Sequence, residues 1–166
     1  MFKEYLLNCI VKELKICRRL ASKIPADKMT FRSKEGVRSI QELLHYLSYS
    51  GTDMLRFWYR TDGSDSKTFF AAIEAESVIN SPQDFIAAMD KQIEDVTVFF
   101  NKFSEEELHT KIVTYPWKAT APLGEAIVET IIKWLAAYKL QLFSLLKLAT
   151  DQKLVTADAW RHTEID

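Results

Sequence analysis

Apolar residues recur at steps of three and four in four long runs of this chain, and that period dictates its fold class. The first run is Phe2, Leu6, Ile10, Leu14, Cys17 and Leu20, with Lys12, Glu13, Lys15, Arg18 and Arg19 on the other side. Such spacing draws one apolar stripe along an α-helix; a strand would alternate every second residue. Pro25 disfavours helical backbone at Ile24, so the helix is expected to stop near Lys23. The second run opens on Ser39 with Glu42 three residues on, a capping box in which each side chain satisfies a backbone N–H left free at the helix start. Its stripe, Ile40, Leu44, Leu47, Gly51, Met54 and Trp58, predicts one continuous helix ended by Thr61, Asp62, Gly63 and Ser64. Gly51 weakens that helix by about 1 kcal/mol relative to Ala, which points to close packing or to a ligand contact at this position.

Lys67 to Ser77 suits a short helix within a long connection. Ser81 followed by Pro82 starts the third long helix, whose core face is Phe85, Met89, Ile93, Val96, Phe100 and Phe103. Ser104 and Glu107 repeat the capping box for one further turn. His109 to Pro122 has no helical period, and Pro116 and Pro122 interrupt its β-prone residues, so it reads as an ordered extended loop. The fourth long helix runs from Leu123 to Ala149 through Ile127, Ile131, Trp134, Leu135, Tyr138, Leu142, Leu145 and Leu148, an arc wide enough to make it the most buried. Thr156 to Trp160 adds a turn, with Trp160 packing back. Four long helices joined by long connections predict an all-α four-helix bundle with crossover connections, residues 1–166 forming one domain.

With 166 residues, 48% of them hydrophobic, the chain is able to bury a self-sufficient core. Its 22 basic and 23 acidic side chains leave a charge of -1, which gives no drive toward nucleic acid, and Lys15, Arg18, Arg19 and Lys23 read as a solvated helix face. No apolar stretch reaches the ~18 residues of a spanning helix, and Lys3 and Glu4 interrupt any signal-peptide core, so a cytoplasmic protein without membrane contact is expected. Cys9 and Cys17 lie about 12 Å apart along one helix axis, too far for a disulfide, and read as buried thiols. Four scattered glycines make no phosphate loop, and there is neither Cys-x-x-Cys nor His-Glu-x-x-His.

The histidines, His45, His109 and His162, fall in three separate segments. Among the acidic pairs, Glu129 has Lys133 four residues on, the spacing of a surface ion pair, and Asp90 with Glu94 earns no catalytic role from spacing alone. The second helix carries a polar seam of His45, Tyr49, Thr52 and Arg56; the fourth carries Trp134, Tyr138 and Gln141. These seams read either as hydrogen-bonded core residues or as the lining of a pocket between helices.

Two segments add a resemblance. Ser-Ile-Gln-Glu-Leu-Leu-His45 is similar to the second-helix stretch of the DinB-like superfamily, which ends in that family's first metal-binding His. Trp134-Leu-Ala-Ala-Tyr138-Lys-Leu-Gln141 resembles its fourth-helix motif, His-x-x-x-His followed by x-x-Gln. The superfamily includes DNA-damage-inducible proteins, YfiT-type metal-dependent hydrolases and bacillithiol or mycothiol S-transferases. The resemblance implies a four-helix bundle of DinB/YfiT type, commonly a homodimer. In metal-binding members the three His hold a zinc or nickel ion. Here only His45 remains at a ligand position, since an indole offers no lone pair to a metal and a neutral phenol is a poor ligand. The expectation is a protein without the metal centre that binds a small molecule or partner between helices, around His45, Tyr49, Asp53, Trp134, Tyr138 and Gln141. The alternative is a thiol S-transferase or hydrolase of the family's type. It would use a divalent metal with ligands such as Asp53, or no metal with His45 as base and Tyr138 donating a hydrogen bond. A third reading is assembly through exposed aromatics at Phe57, Trp58, Tyr59, Phe69 and Phe70.

Overall fold

The computed structural model describes residues 1–161; His162 lies outside them. In chain order the helices are α1 (Phe2–Ala21), α2 (Ile40–Leu47), α3 (Asp53–Trp58), α4 (Ser66–Glu76), α5 (Pro82–Phe100), α6 (Glu105–Thr110), α7 (Leu123–Ile127), α8 (Lys133–Ala149) and α9 (Thr156–Trp160). Strands β1 (Ile112–Thr114) and β2 (Thr120–Pro122) lie between α6 and α7. The protein is mostly helical. Helix α1 packs against both α5 and α8, and α2 against α8. Leu6, Ile10, Leu14, Cys17 and Leu20 are buried as the first stripe requires, and they join one continuous hydrophobic cluster with Phe85, Met89, Val96 and Phe100 of α5. The boxes at Ser39–Glu42 and Ser104–Glu107 form as expected, and Ser81 forms a third with Asp84.

The second helix departs from expectation. It is two helices, because α2 ends at Leu47 and α3 restarts at Asp53 from the non-helical backbone of Thr52 (φ −128°). In an unbroken helix the Gly51 N–H would bond the Leu47 carbonyl. Instead the Gln92 side chain of α5 stands between them. Gly51 N–H donates to Gln92 Oε1 at 2.7 Å, and Gln92 Nε2 donates to the Leu47 carbonyl at 3.0 Å. A side chain inserted into the backbone ladder is a known cause of a sharp bend. Ser48 and Ser50 add to it, their hydroxyls donating back to the carbonyls of His45 and Tyr46, each at 2.6 Å. Gly51 is needed here for space: a Cβ would lie 2.8 Å from Gln92 Oε1 and 3.1 Å from Leu14 Cδ2. Gln92 rather than Ile93 therefore takes the core position of its turn, at 3% exposure.

The expected loop before the fourth helix is a small hairpin. Ile112 pairs with Pro122, Val113 with Ala121 and Thr114 with Thr120. Pro122 is tolerated at the end of this two-stranded ribbon, where no further strand needs its N–H. Lys118 takes the left-handed conformation in the turn (φ 71°), and Trp58 Nε1 ties α3 to the hairpin by donating to the Thr114 carbonyl at 3.2 Å.

The fourth helix winds one π turn at Val128–Ile132, between α7 and α8. A π turn takes an extra residue, which turns everything after it by about 100° relative to an unbroken α-helix. The core face thus runs Leu123, Ile127, Ile131, Leu135, Lys139 and Leu142. Tyr138 is only half-buried, and Leu148, expected inside, is 65% exposed.

Lys139 is fully buried. Its ammonium lies 2.6 Å from Glu13 Oε2 and 4.5 Å from the centre of the Trp160 ring, so α9 packs back as expected even though much of Trp160 stays exposed. Cys9 is exposed, contrary to expectation, since position 9 falls off the buried stripe. Phe57 is buried against Phe69 and Phe70 at 5.4 and 5.2 Å, so these aromatics cover the α3–α4 contact and leave less surface for a second copy. Arg18 pairs with Asp90, and Lys133 with Glu129, on the surface. No described helix is long and apolar enough to cross a membrane.

Gly51→Ala is expected to lower stability by about 1–3 kcal/mol, because the buried Gln92 amide is bonded at both ends and cannot swing away from the new methyl group. In a Gln92→Ala background the same change is expected to cost less, since the 2.8 Å contact with Gln92 is gone and only the Leu14 contact remains. Urea unfolding of the four proteins measures the coupling, and equal costs in both backgrounds would refute the bridge.

Candidate functional site

The bend around Ser48–Thr52 places Tyr49 and Asp53 beside residues from four other segments. Arg38 comes from the loop before α2, Phe70 and Glu74 from α4, Trp117 from the hairpin turn, and Trp134 from α8. Two clefts adjoin there. One, of about 390 Å³, includes His45, Arg32 and Glu42 in its lining; the other, of about 370 Å³, includes Asp53, Trp117 and Trp134. Arg38, Tyr46, Tyr49 and Glu74 border both. Both volumes suit a small organic ligand.

Aromatic residues are five of the nine that line the second cleft. Tyr46 lies 4.6 Å from Tyr138 and 5.6 Å from Tyr49, centre to centre. Trp117 is stacked flat on Tyr115 at 4.6 Å and stands 6.4 Å from Trp134. The Arg38 guanidinium sits over Tyr46 at 4.8 Å and Tyr138 at 5.3 Å, and makes no ion pair among the described residues. Burial pushes both the Tyr46 and Tyr49 phenols up, Tyr49 to about 12 with Glu74 and Asp53 adding to the effect, so both remain hydrogen-bond donors at neutral pH.

Asp53 is the one acid in the cleft that is out of water, at 2% exposure. Its Oδ1 accepts from the Met54 N–H at 2.6 Å, and no described group bonds its Oδ2. Burial pushes its carboxyl up to about 8; the Met54 N–H and the Arg56 charge pull the other way but less. The Arg56 guanidinium is itself held by Glu76 at 2.9 Å.

His45 belongs to the neighbouring cleft. Its Nε2 lies 3.1 Å from the carbonyls of both Glu74 and Ser77, and carbonyls only accept, so Nε2 carries the proton and is spent on tying α2 to the end of α4. Ser48 and Ser77 bond through their hydroxyls alongside. Of the three side chains likened to metal ligands, His45 thus keeps only Nδ1 as a lone-pair donor, Trp134 has no lone pair to give, and Tyr138 is packed on Tyr46. Among the described residues no group of three or more His, Cys, Asp or Glu is arranged to hold a metal ion.

Of the residues singled out from sequence, His45, Tyr49, Asp53 and Trp134 line the two clefts, and Tyr138 backs them through Tyr46 and Arg38. Gln141 is half-buried, lines neither cleft and makes no side-chain hydrogen bond among the described residues. Arg38, Tyr46 and Trp117 were missed. Tyr46 stands three residues before Tyr49, a legible helical neighbour, whereas Arg38 and Trp117 lie in segments with no periodic signal. No family model matches this chain, and no curated protein matches it.

The raised Asp53 carboxyl sets a pH dependence. Its folded value, about 8, lies above its ordinary 3.8, so between these values the folded state holds a proton that the unfolded state has released. Stability from this group is full at pH below about 4, falls as pH rises toward 8, and is flat beyond. The capping carboxylates Glu42 and Asp84, held low mainly by backbone N–H groups, act oppositely and lose their contribution only at acid pH. Asp53→Asn keeps an acceptor for Met54. It is expected to flatten the dependence between pH 5 and 8 and to be more stable than the parent at pH 8 by on the order of 1–3 kcal/mol. Urea midpoints at several pH values check this, and parallel curves for the two proteins would exclude Asp53 as the source.

Proposed function

We propose that this chain is a four-helix-bundle protein of the DinB-like kind that works without the family's metal centre and binds a small organic molecule in the cleft beside Asp53. The observation that carries the reading is a cleft of about 370 Å³, walled by aromatic rings and floored by a buried carboxyl with a free oxygen. Aromatic walls offer area at low entropic cost, and a few convergent polar groups fix orientation. The packing of α1 on α5 and α8, and of α2 on α8, supports the bundle. The engagement of His45 Nε2 by two carbonyls speaks against both a metal-ligand role and a general-base role for that nitrogen.

Protein produced with zinc and nickel in the medium is expected to carry far less than one ion per chain by emission spectrometry. A tightly held ion at one per chain, lost in His45→Ala, would overturn the metal-free reading. In ¹⁵N spectra, members of a small-molecule fragment library are expected to shift the indole N–H signals of Trp117 and Trp134 more than that of Trp160, which lies outside the cleft. A library that leaves both cleft indoles unmoved would overturn the binding reading.

A further inference from the structure

The cleft holds a charge problem that the chain does not solve for itself. Asp53 is at 2% exposure, lines the cleft, and has one oxygen bonded to a backbone N–H and the other bonded to no described group. Once Asp53 has lost its proton its oxygens are only acceptors, so the free one then calls for a donor and the buried charge for a cation. No described side chain pairs with Asp53. Arg56, one turn along α3, acts on Asp53 through its charge but is paired with Glu76, and the Arg38 guanidinium is packed over the rings of Tyr46 and Tyr138. A second acid, Glu74, stands at the border of the cleft and makes no ion pair among the described residues. Tyr49, Trp117 and Trp134 complete the wall, and the faces of such rings attract cations. An anion placed here would meet two carboxyl groups, with Arg38 alone to offset them.

We infer that the cleft takes a primary organic ammonium ion, its N–H donating to Asp53 Oδ2 and its carbon skeleton lying among Tyr49, Trp117 and Trp134. The inference rests on the reading of this cleft as a small-molecule site. The buried pair formed by Lys139 and Glu13 shows the contrasting case within the same protein. There the fold supplies the counter-charge at 2.6 Å and closes the site with Trp160. At Asp53 it supplies an open cleft instead.

Three probes of nearly equal shape separate charge from shape: phenethylammonium, 2-phenylethanol and phenylacetate. Each is titrated into the ¹⁵N-labelled full chain at about pH 8.5, where Asp53 is ionised, while the indole signals of Trp117 and Trp134 are followed. Phenethylammonium is expected to bind about tenfold or more tightly than 2-phenylethanol, and phenylacetate more weakly than either. Asp53→Asn is expected to erase the difference between the ammonium and the alcohol. A preference for phenylacetate, equal binding of all three, or an ammonium preference that persists in Asp53→Asn overturns the ammonium assignment and leaves the cleft a small-molecule site. Unmoved indoles with all three probes overturn the ammonium assignment, and the fragment library then decides the broader reading by itself.

Discussion

One side-chain amide holds the bend on which the rest of the structure depends. Gln92 replaces the single backbone hydrogen bond that would have joined Leu47 to Gly51, accepting from one end and donating to the other. It does so in a fully packed region, so both freed backbone groups are satisfied without water. The break it wedges open ends α2 after the turn that carries His45 and Tyr46, and starts α3 at the buried Asp53. The same amide links α5 to the α2–α3 bend. Packing of α5 on α1 and polar geometry at the cleft are thereby parts of one arrangement.

The core treats its buried ionisable groups in three ways. Lys139 is given a counter-ion, Glu13, and a ring to cover it. Cys17, beside the same pair, has its thiol pushed up to about 12 by burial and by Glu13, so it stays protonated and acts as a small apolar side chain. Asp53 receives one backbone N–H and an open face. A carboxyl left so incompletely satisfied costs stability at neutral pH, and groups of that kind concentrate at binding sites.

The sequence likeness to the DinB-like superfamily rests on three positions, and the structure treats them unequally. His45 is used to fasten α2 to the end of α4, while Trp134 and Tyr138 contribute rings to an aromatic wall. Asp53 and Arg38 stand at the adjoining cleft.

Legible in the sequence were the helical segments and three of their starts, at Ser39, Ser81 and Ser104. Stripes at steps of three and four, Ser-Glu capping boxes and a Ser-Pro start are local signals, carried by residues within a few positions of one another, and the elements they mark are present. His45, Tyr49, Asp53 and Trp134 were also legible, as polar or aromatic residues beside apolar stripes. Tertiary structure alone decided the rest, because each departure involves a partner distant in sequence. Gln92 lies forty-one residues from the Gly51 it bonds. Two short strands with prolines pair only by meeting each other. The π turn in the fourth helix brings Lys139 rather than Tyr138 to face Glu13. Periodicity records which face of a segment is apolar; it holds no record of which side chain from another helix will reach into that segment's backbone.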